Sequence, residues 1–150
     1  MIIDQTATIP APVEQVWDFI MDIPAVSRCV PGVEAFEAVD HDTFAGTLKV
    51  KVGPVTVRLE GRIDVAERDQ EGLSSRLEIQ AKERRIASSV SATTSLSLAP
   101  VSPGATELRI HTEASILGKL GEFGQSVMRR KADQIVAEFA KNAALEISRR

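Results

Sequence analysis

Val55-Thr56-Val57-Arg58-Leu59-Glu60-Gly61-Arg62-Ile63-Asp64-Val65 divides its side chains cleanly in two. Val55, Val57, Leu59, Gly61, Ile63 and Val65 fall on one face of an extended chain, and Thr56, Arg58, Glu60, Arg62 and Asp64 on the other. Side chains alternate with period two along a strand, so the segment predicts a sheet with one wet and one dry side. The dry side carries no charge and, across the neighbouring segments, is rich in small residues. An apolar but underfilled face points to a cavity for an apolar ligand rather than to a catalytic cleft.

The same alternation extends on both sides. It predicts strands over about 33–39, 43–52, 55–68, 73–83, 87–98 and 105–115, joined by turns at Asp40-His41-Asp42, Gly53-Pro54, Gln70-Glu71-Gly72 and Pro100 to Gly104. Short polar connections between such runs imply antiparallel hairpins. Residues 2–9 read as a further strand ended by Pro10. Pro12 then suits a helix start, and Val13, Val16, Trp17 and Ile20 recur at helical spacing. A second short helix is expected over 23–28. From 119 to 148 the period is helical again, with Leu120, Phe123, Val127, Met128, Ile135, Val136, Phe139, Ala143 and Ile147 in one stripe. A helix of that span would be about 45 Å long. Only a large curved sheet can wrap it. The expected fold is therefore one α+β domain, 1–150: about seven antiparallel strands curved around a long C-terminal helix, with two short helices after the first strand.

The bulk numbers exclude some functions. A net charge of −3 over 150 residues argues against a nucleic-acid partner. The single cysteine, Cys29, allows no internal disulfide and fits a reducing compartment. Met1-Ile2-Ile3-Asp4 has no basic or apolar leader, and no apolar run approaches the ~20 residues of a membrane span. A cytoplasmic protein is expected.

Catalytic chemistry is hard to find. His41 lies in an acidic turn and His111 shares the charged face of its strand, so both read as solvated. Two distant histidines and one cysteine give no metal-ligand spacing. Cys29 has no histidine placed to deprotonate it. Gly118, Gly121 and Gly124 are spaced for helix packing, not for phosphate binding. Neither catalysis nor a metal is expected.

A pocket is easier to place. Its walls are expected from Leu48, Val50, Val57, Leu59, Ser75, Leu77, Ile79, Val90, Ala92, Thr94, Thr112 and Ala114, and its cover from Leu117, Leu120, Phe123 and Val127. Ser75, Thr94 and Thr112 are the polar anchors, a balance that suits an apolar ring system with carbonyl groups, such as a quinone. The mouth is expected among Cys29, Val30, Pro31, Gly32, Gly53, Pro54, Gly121 and Gly124. The absence of an interior acid or base depends on register: a slip by one in 73–83 or 87–98 would bring Arg76, Glu78 or Gln80 inside. Lys119, Arg129, Arg130 and Lys131, with Arg149 and Arg150, offer the helix to anionic lipid.

Four stretches carry a resemblance: Ala11-Pro12-Val13-Glu14-Gln15-Val16-Trp17, Cys29-Val30-Pro31-Gly32-Val33-Glu34, Gly46 through Val55 (GTLKVKVGPV) and Leu117-Gly118-Lys119-Leu120-Gly121. Together they resemble the CoxG family of carbon monoxide dehydrogenase subunits, within the SRPBCC or START-like, Bet v1-like superfamily of helix-grip folds. The resemblance implies a non-catalytic accessory to a molybdenum hydroxylase of the carbon monoxide dehydrogenase type. Its members are associated with the cytoplasmic membrane and with a quinone that takes the enzyme's electrons. The run Lys82 to Ser89 departs from the glycines often found there in the family. Some members carry a long C-terminal tail; here the sequence stops at Arg150, so transient docking is expected rather than anchoring. Related folds include aromatic polyketide cyclases. Three readings therefore stand: a ligand carrier, a cyclase-type enzyme, and a ligand-free adaptor that recruits the hydroxylase to the membrane.

Overall fold

Seven strands form a single sheet in the order β1-β7-β6-β5-β4-β3-β2, every neighbouring pair antiparallel, in a computed structural model that describes Met1–Arg150. β1 (Ile2–Ile9) lies at one edge, on β7 (Ala105–Leu117). The chain then crosses to the other edge through α1 (Val13–Met21) and α2 (Ile23–Cys29). From there β2 (Val33–Ala38), β3 (Thr43–Val52), β4 (Val55–Asp69), β5 (Ser74–Glu83) and β6 (Ser88–Ser102) return hairpin by hairpin to β7. α3 (Gln125–Ser148) lies against one face, its backbone nearest β1 on one flank and β3 on the other. The expected α+β arrangement is the observed one.

Local chemistry sets the short helices. Pro12 precedes α1, and its carbonyl accepts from the Gln15 and Val16 N–H groups at 3.0 and 3.1 Å. The Asp22 carboxylate caps α2 by accepting from the Ala25 N–H at 3.2 Å. Val16, Phe19 and Ile20 of α1 pack with Ile9, Leu98 and Leu108 of the sheet and Phe139, Ala143 and Ile147 of α3. This is the principal core, and it lies at the α1 end of the molecule.

Two smaller clusters stand apart from it. Val50, Val52 and Val57 pack with Leu120, and Ile23, Phe44 and Val65 form the third group, with Phe36 stacked on Phe44 at 5.7 Å. The three cores do not merge because the sheet between them carries small side chains. Gly46, Gly61 and Ala81 are directly paired across β3, β4 and β5, and Ala92 faces Ala114 across β6 and β7.

The structure differs from expectation at the start of the long helix. A 3₁₀ turn over Lys119–Phe123 precedes α3, which is 24 residues and about 36 Å long. Gly118 and Gly124 bound that turn at φ 84° and 88°, a region other residues rarely adopt, so the apolar stripe cannot run on as one helix. Irregular pairing also interrupts β2–β3 between Val33 and Ala35, β4–β5 between Val65 and Glu67, and β6–β7 between Pro100 and Ser102. Bulges of this kind bend strands and help the sheet to curve.

Candidate functional site

Cross-strand register shows which side chains share the helix-facing side. One row runs Gly46, Gly61, Ala81, Val90, Ile116; the next runs Phe44, Ile63, Ile79, Ala92, Ala114; a third runs Val65, Leu77, Thr94, Thr112, Ile3. The expected wall residues Leu48, Val50, Val57, Leu59, Ser75, Leu77, Ile79, Val90, Ala92, Thr94, Thr112 and Ala114 all lie on this side. Leu59, Ile79, Ala81, Val90, Thr112 and Ala114 face α3 yet are only partly buried. The middle of the sheet is thus less fully covered than the principal core.

Five of the expected walls belong to a packed region instead: Val50 and Val57 are buried with Leu120, Leu48, Leu59 and Val90 pack against them, and Phe123 and Val127 close around the group. The candidate trough is the inner face beside this plug, over Ala81, Ala92 and Ala114. Leu117 is a correction: inward parity on β7 runs through Thr112, Ala114 and Ile116, so Leu117 points outward and is 64% exposed. Ile116 takes the interior place.

The hydroxyls are specifically arranged. Ser75 donates to the Glu67 carbonyl at 2.9 Å, which ties up its proton at the β4 bulge. Thr94 and Thr112 pair across β6 and β7 with 3.1 Å between their oxygens. Two hydroxyls carry two protons and need only one between them, so one donor of this pair stays available to a ligand acceptor. Arg76, Glu78 and Gln80 stay on the outer side, where Arg76 pairs with Glu78 at 2.9 Å and Gln80 donates to Ser91 at 3.0 Å.

Glu83 is an interior residue that the sequence reading misses. It continues the inward parity of Ser75, Leu77, Ile79 and Ala81, and it is 3% exposed. The run Lys82 to Ser89 reads in sequence either as an altered pocket rim or as a solvated hairpin end, and the alternation of β5 carries Glu83 to the inner side. Its carboxylate accepts from the Arg58 backbone N–H and, at 3.1 Å, from the Arg85 N–H. The Arg58 bond above all holds its pKa below the usual carboxylate value, against the effect of burial. Both oxygens are engaged, so this interior carboxylate ties β4 to the β5–β6 turn.

The expected mouth divides. The β3–β4 turn at Gly53 and Pro54, the β5–β6 turn, and the segment with Gly121 and Gly124 meet at one end of the sheet, where Val52, Val55, Ile86, Leu120 and Phe123 pack together. Cys29 lies elsewhere, 4% exposed in the principal core, with Val30 packed beside it. Its carbonyl accepts from Asn142 of α3 at 2.9 Å, and burial pushes its thiol pKa up. A protonated, buried thiol is a poor nucleophile. Pro31 and Gly32 lie along β3, where the Lys49 N–H donates to the Gly32 carbonyl at 2.8 Å.

A hollow of about 290 Å³ opens between β7 and the start of α3, lined by Met1, Ala114, Ser115, Ile116, Gly121, Gly124, Gln125 and Met128. It touches the inner-face residues Ala114 and Ile116. A larger groove, about 640 Å³, lies over Gly46 and Gly61 but among the outward side chains Thr47, Glu60, Arg62 and Lys82. Its charged walls make it a solvent groove rather than an apolar site.

Comparison with known proteins gives a consistent picture. The family model for the CoxG subunit of carbon monoxide dehydrogenase matches residues 6–148. No curated protein matches the chain. A conserved protein from Geobacillus kaustophilus superposes with a TM-score of 0.89 at 21% identity, covering 99% of this chain and 96% of that one. The Zhui aromatase/cyclase from Streptomyces sp. R1128 gives 0.71 at 16% identity, over 100% and 94%. A START superfamily protein from Mycobacterium smegmatis gives 0.70 at 10% identity, over 99% and 97%. The fold is START/Bet v1-like. At these identities the solved structures speak for the fold alone.

Proposed function

The chain belongs to the CoxG family of carbon monoxide dehydrogenase subunits, and on that premise we propose that it is a non-catalytic carrier of an apolar ligand. The ligand is a quinone or a similar carbonyl-bearing ring. It would lie in the trough between α3 and the sheet and be delivered to a molybdenum hydroxylase of the carbon monoxide dehydrogenase type. The protein would work on the inner face of the cytoplasmic membrane, docking there transiently.

The observation that supports the reading is the set of small side chains on the helix-facing side of the sheet. Ala81 and Ala114 there are partly buried and Ala92 is buried, and the Thr94–Thr112 pair keeps one hydroxyl proton for an acceptor. Ligand sites of this kind are mostly apolar with a few placed polar groups. The engaged carboxylate of Glu83 and the protonated thiol of Cys29 support a carrier over a cyclase-type enzyme, because neither is poised as an acid, base or nucleophile.

The test is to purify the protein from a quinone-producing host, extract it with organic solvent and analyse the extract by mass spectrometry. A stoichiometric quinone or other isoprenoid is expected. A blank extract, repeated after incubation with membranes, would remove the carrier reading and leave the ligand-free adaptor.

A further inference from the structure

The two edges of the sheet are finished differently. At β2 the strand is only 6 residues long, and a bulge between Val33 and Ala35 breaks its ladder to β3. α2 lies against it, and Glu34 is held by Arg58 at 3.0 Å. Short length, bulges and charge are the usual means by which a sheet edge avoids pairing with another strand. β1 is an open edge by comparison. Its 8 residues, Ile2-Ile3-Asp4-Gln5-Thr6-Ala7-Thr8-Ile9, include no proline, glycine or lysine, and they pair with β7 without a register shift. The single charge, Asp4, is drawn inward along the sheet by His111 at 2.6 Å. Ile2, Asp4, Thr6 and Thr8 are all exposed, Ile2 to 52%.

Hydrogen bonding shows which backbone groups are free. Met1 and Ala114 exchange both of their bonds, each at 2.8 Å. Such positions alternate along an antiparallel pair, so Ile3, Gln5, Ala7 and Ile9 turn their N–H and C=O groups towards β7. Those of Ile2, Asp4, Thr6 and Thr8 point out of the sheet, and no turn or loop backbone bonds to them.

We propose that β1 is the interface of a homodimer, in which β1 of a second copy pairs with it antiparallel across a two-fold axis and the two sheets become one. Outward groups must meet outward groups. The register that joins all four sets Asp4 opposite Thr6 of the second copy and Ile2 opposite its Thr8, with Gln5 opposite itself at the axis. A shift of two residues one way would set Asp4 against Asp4. A shift the other way would set Ile2 against Pro10, which has no N–H to give. A second copy is the occupant because this edge is complementary to itself. No like charges face each other across the strands, Asp4 meets a threonine hydroxyl, and Arg109, directly across from Thr6 on β7, stands one strand beyond. On the α3 side each Gln5 keeps its 2.9 Å bond to Asp133. Arg129 and Arg130, one turn back on the same helix, offset the two Asp133 charges near the axis.

The experiment is sedimentation velocity of the full chain over a concentration series, with three variants. Wild type should form a dimer whose population rises with concentration. Thr6→Pro removes an N–H that faces away from β7, so the chain keeps its own ladder. The dimer then loses one hydrogen bond from each copy, and its dissociation constant should rise about twenty-five-fold, about fivefold for each. Gln5→Cys tests the register. A non-hydrogen-bonded pair sets its Cα atoms about 4.5 Å apart, within reach of a disulfide, so diamide should cross-link this variant into a dimer. Thr8→Cys should not cross-link, because Thr8 and its copy lie about six residues, roughly 20 Å, apart along the strands. Cys29, 4% exposed, does not compete. A wild type that stays monomeric throughout the series would overturn the proposal and leave the edge to a strand of another protein. A dimer that Thr6→Pro does not weaken, or in which Gln5→Cys and Thr8→Cys cross-link alike, would overturn it as well. Association is read without any ligand, so the outcome is independent of the extraction test.

Discussion

Replacing Glu83 with glutamine should destabilise the protein by roughly 1–3 kcal/mol, the cost of leaving a buried donor without an acceptor. The carboxylate accepts two backbone N–H groups, from Arg58 and from Arg85, at a site 3% exposed to solvent. Glutamine keeps one acceptor oxygen and turns an NH₂ group towards the second donor. The loss in a domain of this size lowers Tm by about 2–4 °C per kcal/mol. The pH dependence has a definite sign. Because Glu83 titrates below its ordinary value of 4.5 when folded, its contribution is complete above that value and is lost as pH falls through the folded pKa. Wild type and Glu83→Gln should therefore differ at neutral pH and converge in acid. Asp40 and Asp64 are lowered too, so the wild type alone does not isolate Glu83; the difference between the curves does. Urea unfolding across the acid range measures it. An unchanged midpoint at neutral pH, or a gap that persists in acid, would refute the assignment. A free interior carboxylate would then restore the enzyme reading.

Other outcomes can be measured with less. Leu120→Ala removes the buried residue that joins the 3₁₀ turn to Val50, Val52 and Val57, and should cost about 2–5 kcal/mol in urea unfolding. Thr94→Val combined with Thr112→Val removes both partners of one hydrogen bond, so stability should change by less than about 1 kcal/mol. The same double variant should bind a quinone about fivefold more weakly in fluorescence titration, the equivalent of one hydrogen bond of about 1 kcal/mol. His111, 2.6 Å from Asp4 and 3.6 Å from Glu113, should titrate above 6.5 by NMR, chiefly through the Asp4 bond. Its small stabilisation should be present below 6.5 and lost as pH rises through the folded pKa, and Asp4→Asn should bring the midpoint down.

The strand faces are legible because a sheet buried on one side makes a register slip costly, so the alternation of Val55 to Val65 has one reading. The same alternation assigns Gly46, Gly61 and Ala81 to one face, where the structure pairs them directly. Glu83 escapes because a charged residue near a hairpin tip is expected to be solvated. Its backbone donors lie on another strand and beyond the turn, and neither is visible in a linear pattern. Leu117 reads as interior from its company with Leu120 and Phe123, although parity from Thr112 assigns it outside. The break at Gly124 is hidden because apolar spacing continues through it. Cys29 resembles a mouth residue beside a Pro-Gly turn, yet α2 and α3 enclose it from segments far apart in sequence.

The central claim is that the trough, and not the outer grooves, receives an apolar ligand. Methyl NMR of the labelled protein titrated with decylubiquinone tests this most directly. Ile79, Ala92, Ala114 and Ile116 should shift together and saturate, while Ala143 and Ile147 in the principal core stay still. No shift at saturating quinone, or shifts confined to the outer groove around Ala35 and Ala45, would contradict it.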